Sequence, residues 1–152
     1  FQNKGNLPPF FELYQKNVLI LGFGRIGQAV AKRCLGFEMN VYVYDPYVEL
    51  KIIEENNCHP ISINEGFQIA DFISIHLPLN QETKNLINLK SFQEMKNSCV
   101  IVNTARGGII NEKDLYDALI KSKIRAAGLD VFEQEPPPLD HPLFALPNIL
   151  VT

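Results

Sequence analysis

The sequence predicts an α/β fold built on a doubly wound parallel sheet that is flanked by helices on both faces. Short apolar runs without alternation recur along the chain, as in strands that are buried on both sides. Stretches with apolar residues at helical spacing lie between these runs, and such alternation is typical of parallel sheets. A glycine-rich turn joins the first apolar run to the first helical stretch.

Four strands and two helices are expected in the first half of the chain. The strands are residues 18–21, 41–44, 60–63 and 71–75, and the helices are residues 26–36 and 48–56. Gly36 is a natural helix stop, and the Asp45-Pro46 pair ends the second strand.

The second half continues the same alternation. It contains expected helices at residues 90–96 and 112–121, and expected strands at residues 99–103, 126–129 and 148–151. Residues 133–147 are rich in proline and turn-forming residues, so we expect no regular element there.

Composition excludes several classes of protein. The chain has 152 residues, of which 46% are hydrophobic and 20% charged, enough for one domain with its own core. Its net charge of −3 argues against a nucleic-acid binder that relies on a basic surface, and its apolar runs are too short for a membrane span. Three cysteines, Cys34, Cys58 and Cys99, match neither a zinc site nor a disulfide frame. We therefore expect free thiols, a cytoplasmic location and no metal site.

The beginning of the chain differs from the rest. Residues 1–16 show no period and contain Pro8-Pro9, which blocks a helix, so they are interpreted as a connector from a part that these residues do not include. Residues 17–152 are then the folded domain. Phe1 is not an initiator methionine and no signal-peptide pattern follows it, which is typical of a piece of a longer protein.

Residues 22–27 read G-x-G-x-x-G, between a buried strand and a helix, which is the context that dinucleotide binding requires. Gly22 permits the tight turn, and Gly24 lets the backbone approach a pyrophosphate. Gly27 lets the helix pack close to the sheet.

Two further features support a dinucleotide site of the Rossmann type. The backbone amides of Arg25 and Ile26 would point at the phosphates from the helix N-terminus. Asp45 stands 23 residues after Gly22 at a strand end, where a carboxylate accepts ribose hydroxyls and repels a 2′-phosphate. Because no arginine or lysine follows before Lys51, NAD is favoured over NADP. The alternative is an ordinary glycine turn followed by a surface aspartate.

Two later loops could carry chemistry. Arg106 follows a strand, next to two glycines, and could clamp a carboxylate bidentately. Asp130 and Glu135 follow the next strand on the same rim of the sheet. The alternatives are a surface arginine and an ordinary acidic loop.

Residues 18–152 resemble the cofactor domain of the D-isomer-specific 2-hydroxyacid dehydrogenases. The matching stretches are residues 22–27, 44–46, 76–79, 103–108 and 128–136. The residues at 44–47 and 104–110 are most similar to the phosphoglycerate dehydrogenase branch, and glyoxylate and hydroxypyruvate reductases are similar as well.

The resemblance implies a role for each matching residue. Leu77 and Pro78 would form the wall on the adenine side, Thr104 and Ala105 would line the nicotinamide pocket, and Asp130 would contact the nicotinamide end.

It also implies the catalytic parts. Arg106 would hold the substrate carboxylate and carbonyl oxygen, and Glu135 would hydrogen-bond the catalytic histidine. In the family that histidine lies in a Thr-Pro-His motif, which would begin at Thr152 and continue beyond it. We do not expect a replacement among His59, His76 and His141, and His141 is interpreted as a turn residue.

The function implied is hydride transfer between NAD(H) and a small 2-hydroxy or 2-keto acid, with 3-phosphoglycerate a candidate, by a homodimer that pairs through its cofactor domains. Glyoxylate or hydroxypyruvate reduction is an alternative. A dinucleotide-sensing protein similar to the corepressors of this family is another, and an NADP-dependent reductase is disfavoured by Asp45.

Overall fold

The computed structural model describes residues 12–152, and within them seven strands form one sheet in the order β3-β2-β1-β4-β5-β6-β7. All neighbouring strands are parallel. The strands are β1 Asn17–Leu21, β2 Asn40–Tyr44, β3 His59–Pro60, β4 Phe72–Ile75, β5 Val100–Asn103, β6 Ala126–Leu129 and β7 Ile149–Val151. The strand order reverses at β1, so a crevice opens beyond its carboxyl end, between β2 and β4.

Five α-helices and one short 3-10 helix connect the strands within the described residues. They are α1 Arg25–Gly36, α2 Leu50–Glu55, α3 Ile63–Ile69, α4 Leu89–Glu94, α5 Glu112–Ile120 and the 3-10 helix Pro142–Ala145. Side chains of Ser62, Asn88 and Asn111 cap the N-termini of α3, α4 and α5 by accepting backbone N–H groups.

The core lies on both faces of the sheet. Val18 and Ile20 of β1 pack in one cluster, which Ala31 of α1 and Ile53 of α2 complete. Leu19 and Leu21, the alternate residues, point to the opposite face, where their cluster contains residues of α3, α4 and α5: Phe67, Phe92 and Leu115. The predicted doubly wound sheet with helices on both faces is therefore confirmed.

The region between β2 and β4 differs from the prediction. The expected strand at residues 60–63 is wrong in its bounds, since β3 ends at Pro60 and Ile63 begins α3. The helix α3 was not expected. Its N-terminus carries a recognisable signal, because Ser62 accepts the N–H of Glu65 and donates its hydroxyl to the Glu65 carboxylate.

Residues just before β1 are joined to the domain by backbone hydrogen bonds. The Gln15 N–H donates to the Glu38 carbonyl at 3.0 Å, and the Lys16 carbonyl accepts from Asn40 at 2.9 Å. Leu13 packs against the core on the α1 side. Pro8-Pro9 lies outside the described residues, and the boundary at residue 16 stays a prediction.

Candidate functional site

The glycine-rich turn lies at the carboxyl end of β1. Gly22 has a φ of +94°, and its N–H donates to the Tyr44 carbonyl at 2.9 Å. A Cβ at Gly22 would lie 2.8 Å from the carbonyl group of His76, so a larger residue would meet backbone that cannot move aside. A Cβ at Gly27 would overlap the carbonyl oxygen of Gly22, which explains how closely α1 packs on the turn.

The N-terminus of α1 is open toward the crevice. Gly24 provides no side-chain cap, and the first hydrogen bond of the helix runs from the Gln28 N–H to the Gly24 carbonyl. The amides of Arg25 and Ile26 come before that bond, and the first turn contains no acidic residue. A Cβ at Gly24 would meet nothing within 4 Å. The open space at Gly24, the backbone amides of the first turn of α1 and the positive end of the helix dipole together fit a pyrophosphate.

The Asp45 carboxylate connects the end of β2 to this turn. Its Oδ2 accepts the Phe23 N–H at 2.7 Å, and its Oδ1 accepts the Tyr47 N–H at 2.9 Å. Each carboxylate oxygen can accept a second hydrogen bond. Asp45 also lines a cavity of about 210 Å³, together with Gly22, Gly24, Leu77 and Pro78.

The loop after β4 forms the opposite wall of this cavity. Buried Thr83 donates its hydroxyl to the Pro78 carbonyl at 2.6 Å and accepts the Asn80 N–H at 2.8 Å. The Asn80 side chain in turn accepts the N–H groups of Glu82 and Thr83, each at 2.9 Å. These hydrogen bonds hold the loop in one conformation and so place Pro78 at the rim.

A second cavity of about 610 Å³ lies beyond Leu77 and Pro78, which line both cavities. Its other lining residues come from the turn and from the loops after β4 and β5: Ile26, His76, Leu79, Thr104, Ala105 and Arg106. The two cavities therefore form adjoining compartments along the carboxyl edge of the sheet, with the start of α1 beside them.

The loop that carries Arg106 is shaped by buried Asn103. The Asn103 side-chain amide donates to the Arg106 carbonyl at 2.9 Å, and its oxygen accepts the Ala105 N–H at 3.0 Å. Arg106 is exposed, and its Nη1 donates to the Ala105 carbonyl at 2.7 Å. Because a guanidinium has five N–H donors, it retains the capacity to bind a carboxylate.

Histidine 76 lines both cavities, and its ring Nε2 lies 2.8 Å from the Ser74 hydroxyl. Burial lowers the pKa of His76, so the ring is neutral near pH 7. A neutral ring bonded to a hydroxyl packs the site and is poorly suited to moving protons between ligand and solvent.

Asp130 and Glu135 are not brought to either cavity. Both are exposed, and each carboxylate accepts a hydrogen bond from another residue of the chain. Asp130 accepts the Thr152 hydroxyl at 2.8 Å, and Glu135 accepts the Phe132 N–H at 3.1 Å. Arg25 also lines a separate cavity, together with residues of α1 and of the end of α2.

A third group of polar residues surrounds His141. Its Nε2 lies 3.1 Å from Glu112 Oε2, and both side chains are largely buried, at 13% and 16% exposure. Its Nδ1 accepts the Leu143 N–H at 3.3 Å, which caps the 3-10 helix. The His141 N–H donates to the Pro138 carbonyl at 3.0 Å, as in a turn, and the hydrogen bond to Glu112 explains why this ring is held in place.

The three cysteines are free thiols. Burial raises the pKa of Cys58 to about 11 and that of Cys99 to about 12, and it also raises the pKa of Cys34. Since thiolates are the reactive form, these side chains are not nucleophiles near pH 7.

Residues 12–152 contain no group of three or more His, Cys, Asp or Glu side chains arranged to hold a metal ion. In the same part of the chain, no helix has the length and apolar character that crossing a bilayer requires.

Residues 2–152 match the family described as D-isomer specific 2-hydroxyacid dehydrogenase, NAD binding domain. The chain belongs to this family. The match covers nearly the whole chain, and NAD is the cofactor of this domain family.

Proteins with similar sequences and structures are consistent with membership of this family. The chain is 48% identical over 142 residues to the D-3-phosphoglycerate dehydrogenase of Methanocaldococcus jannaschii, covering 93% of this chain and 27% of that protein. It is 43% identical over 143 residues to the hydroxypyruvate reductase of Thermotoga maritima, covering 93% of this chain and 46% of that protein. The structure of D-lactate dehydrogenase with NAD+ from Lactobacillus jensenii superposes with a TM-score of 0.88 at 34% identity, covering 100% of this chain and 49% of that one. The chain thus spans between about a quarter and a half of these relatives.

Asn103 and Thr83 at the candidate site, and Glu112 at the separate His141 cavity, are not among the residues that the sequence indicates. Asn103 and Thr83 are small polar residues that are almost fully buried, at 2% and 9% exposure, and both fix loops at the cavity rim. A polar residue directly after an apolar strand was the available signal for Asn103. Glu112 gave no such signal, because its partners Glu133 and His141 lie more than twenty residues away.

Proposed function

We propose that this chain binds NAD(H) along the carboxyl edge of its sheet and serves as the cofactor half of an oxidoreductase acting on 2-hydroxy or 2-keto acids. One observation carries the proposal. Two adjoining cavities share Leu77 and Pro78, with the open N-terminus of α1 beside them and Arg106 at the far end.

The cofactor would be held by residues of both compartments. Gly24 and the amides of Arg25 and Ile26 would receive the pyrophosphate, and Asp45 would accept the ribose hydroxyls with its remaining lone pairs. Leu77 and Pro78 would form the adenine wall, while Thr104 and Ala105 would line the nicotinamide compartment. When bound, NAD(H) supplies the hydride chemistry, and the protein supplies position and electrostatics.

Substrate binding is assigned to Arg106. Its guanidinium stands at the second cavity and can pair bidentately with a carboxylate next to the reacting carbon. It would also stabilise negative charge on the neighbouring oxygen. Asp130 is assigned to the nicotinamide end, and Glu135 to orienting a histidine acid/base, since each carboxylate keeps a second oxygen beside the one that accepts a hydrogen bond here.

The acid/base itself is not assigned to a described residue. His59 is exposed on the edge strand β3, His76 is bonded to Ser74, and His141 is bonded to Glu112. We therefore assign that work to a histidine outside the described residues.

The substrate class follows from the shared chemistry of the relatives. Relatives of this chain are named for phosphoglycerate, hydroxypyruvate and glyoxylate, all with a carboxylate beside the carbon that changes oxidation state. The test is a panel of 2-keto acids with NADH on the full-length protein. Consumption of NADH with at least one of these acids is expected, whereas binding of NADH without turnover of any acid would favour a dinucleotide-sensing role.

We also propose that the protein pairs through this domain and resides in the cytoplasm. Phe37, directly after α1, is a large apolar side chain at 60% exposure, and such surface is typical of interfaces. Sedimentation at high concentration should show dimers. Three protonated free thiols fit a reducing compartment, which cell fractionation would test.

A further inference from the structure

A hydrogen bond between two side chains connects the loops on either side of the glycine-rich turn. The Tyr47 hydroxyl donates to Glu82 Oε2 at 2.6 Å. Tyr47 follows β2 and Glu82 follows β4, the two strands that flank β1. Both residues line the smaller cavity, opposite each other across the end of β1.

Both ends of this bridge are anchored by backbone hydrogen bonds. The Tyr47 N–H donates to Asp45 Oδ1 at 2.9 Å, and the Glu82 N–H donates to Asn80 Oδ1 at 2.9 Å. Tyr47 is 77% exposed, so burial does not determine where its ring lies. The hydrogen bond itself therefore defines the position of the phenol and of the carboxylate it meets.

The proton of this hydrogen bond belongs to the Tyr47 phenol. The hydrogen bond to Glu82, followed by its negative charge, raises the pKa of Tyr47, so the phenol is neutral at physiological pH. The 2.6 Å separation is typical of an O–H donor meeting an ionised carboxylate. The cavity thus carries two carboxylates, Asp45 and Glu82, and none of its thirteen described lining residues is a lysine or arginine.

We propose that Glu82 is a second determinant of cofactor specificity, which acts with Asp45 to exclude a 2′-phosphorylated dinucleotide while Tyr47 holds it at the rim. The assignment rests on the proposed binding of NAD(H) in this cavity. A 2′-phosphate would bring additional negative charge to a rim that already carries two carboxylates, and a cofactor with a free 2′-hydroxyl would not.

One substitution removes the charge of Glu82 while keeping an acceptor for the Tyr47 hydroxyl. Glu82→Gln keeps an oxygen that can accept the Tyr47 hydroxyl but removes the charge. We expect NADPH to bind about two- to fivefold more tightly, the range for one exposed charge, with a smaller change for NADH. Because the effect is electrostatic, it should shrink in high salt.

Two further variants control the experiment. Glu54→Gln removes one charge from an exposed position on α2 that lines no described cavity, and it should change neither affinity. Tyr47→Phe keeps the Glu82 charge but releases the carboxylate, so its effect on NADPH should be smaller than that of Glu82→Gln.

Isothermal titration of the 152-residue chain with NADH and NADPH gives the answer. If the wild-type chain binds NADH, but wild type and Glu82→Gln bind NADPH with the same affinity, the specificity assignment is overturned while the proposed function stands. Three other results would also overturn the specificity assignment. Glu82→Gln could raise the affinities for NADH and NADPH equally, its effect on NADPH binding could be the same in high salt, or Tyr47→Phe could change NADPH binding more than Glu82→Gln does. Failure of the wild-type chain to bind NADH would overturn the proposed function and this assignment together.

Discussion

The Asp45 carboxylate accepts the backbone N–H of Phe23 at 2.7 Å, which ties the end of β2 to the glycine-rich turn after β1. The same carboxylate faces the smaller cavity. One side chain therefore shapes the turn proposed to bind phosphate and presents charge where the ribose is proposed to lie. Substitution of Asp45 should consequently affect folding and binding together, and two variants separate the two effects.

Asp45→Ala leaves the Phe23 N–H without its acceptor and should lower the free energy of unfolding by about 1–3 kcal/mol. Asp45→Asn retains one oxygen that can accept the Phe23 N–H but turns its NH2 group toward the Tyr47 N–H, so it should lose less stability than Asp45→Ala without reaching wild type. Both variants lose the charge, so both should narrow the preference for NADH over NADPH in isothermal titration. Retention of the wild-type preference in both would contradict the assignment of Asp45.

Gly24→Ala should leave the fold intact and weaken NADH binding. Its Cβ would meet no protein atom within 4 Å, so denaturant unfolding should change little, but it would occupy the space proposed for the pyrophosphate. Gly36→Ala, at the other end of α1, also has open space and serves as the matched control. Equal NADH affinity in both variants would place the pyrophosphate elsewhere.

Most of the sheet could be predicted from the sequence because strands such as β1 and β5 coincide with short apolar runs, whereas β3, which is only His59–Pro60, does not. Residues 18–21, the first of these apolar runs, are all nearly fully buried. The helix α3 could not be separated from the strands around it by periodicity, since it has seven residues and its apolar positions, such as Ile63 and Phe67, span a single turn. A short helix depends on its cap and its packing, and Ser62 with Glu65 was the local signal.

The parts of the candidate site that depend on neighbouring residues in the sequence were predictable. The parts that depend on contacts between residues far apart in the sequence were less so. The turn at residues 22–27 lies as predicted at the start of α1. Glu135 illustrates the opposite case, because its carboxylate accepts the nearby Phe132 N–H, and no sequence pattern determines which partner a loop carboxylate chooses. Bridges such as Tyr47 with Glu82 join residues far apart in sequence and become visible only in the fold.

Asp71 should stabilise the protein in a pH-dependent way. Burial opposes its ionisation, but the Asn17 N–H and the Lys96 ammonium, 2.9 Å away, outweigh burial and lower its pKa. A lowered folded-state pKa means that the contribution is complete above the unfolded value of 3.8 and is lost as pH falls below it. Urea unfolding of wild type and Asp71→Asn should differ by about 1 kcal/mol near pH 7, and the difference should shrink as pH falls below 3.8 through the folded-state pKa. A difference that is constant with pH would contradict this.

Glu112 should matter more to stability than its partly exposed position suggests. It accepts the Glu133 N–H at 2.6 Å, pairs with His141, and so holds the loop that carries Glu135 against α5. Glu112→Ala should cost about 1–3 kcal/mol, because a backbone N–H and a largely buried ring lose their partner. Asp117→Ala, which breaks an exposed pair with Lys121 on the same helix, should cost at most about 0.5 kcal/mol. Equal costs would show that the Glu112 contacts contribute little.

The last prediction is that the 152-residue chain binds NADH but does not catalyse its oxidation by a 2-keto acid. Binding requires the turn at residues 22–27, Asp45 and the Arg106 rim, all of which are within the described residues. Turnover also requires an acid/base beside the reacting carbon, whose loss costs about 10²–10⁴-fold, and a second domain that excludes water.

Histidine 141 is the residue that could overturn this prediction. It lines a cavity with Glu112 and Tyr116, separate from the cavity that Arg106 lines, and its two ring nitrogens are engaged with Glu112 and the Leu143 N–H. We therefore expect no NADH oxidation with hydroxypyruvate above the rate without protein. A rate normal for a dehydrogenase, abolished in His141→Ala but retained in the neighbouring Lys113→Ala, would move the active site to the His141 cavity. The same rate retained in both variants would require another acid/base among the residues of this chain. Either result would refute the assignment of proton transfer to a histidine outside the described residues.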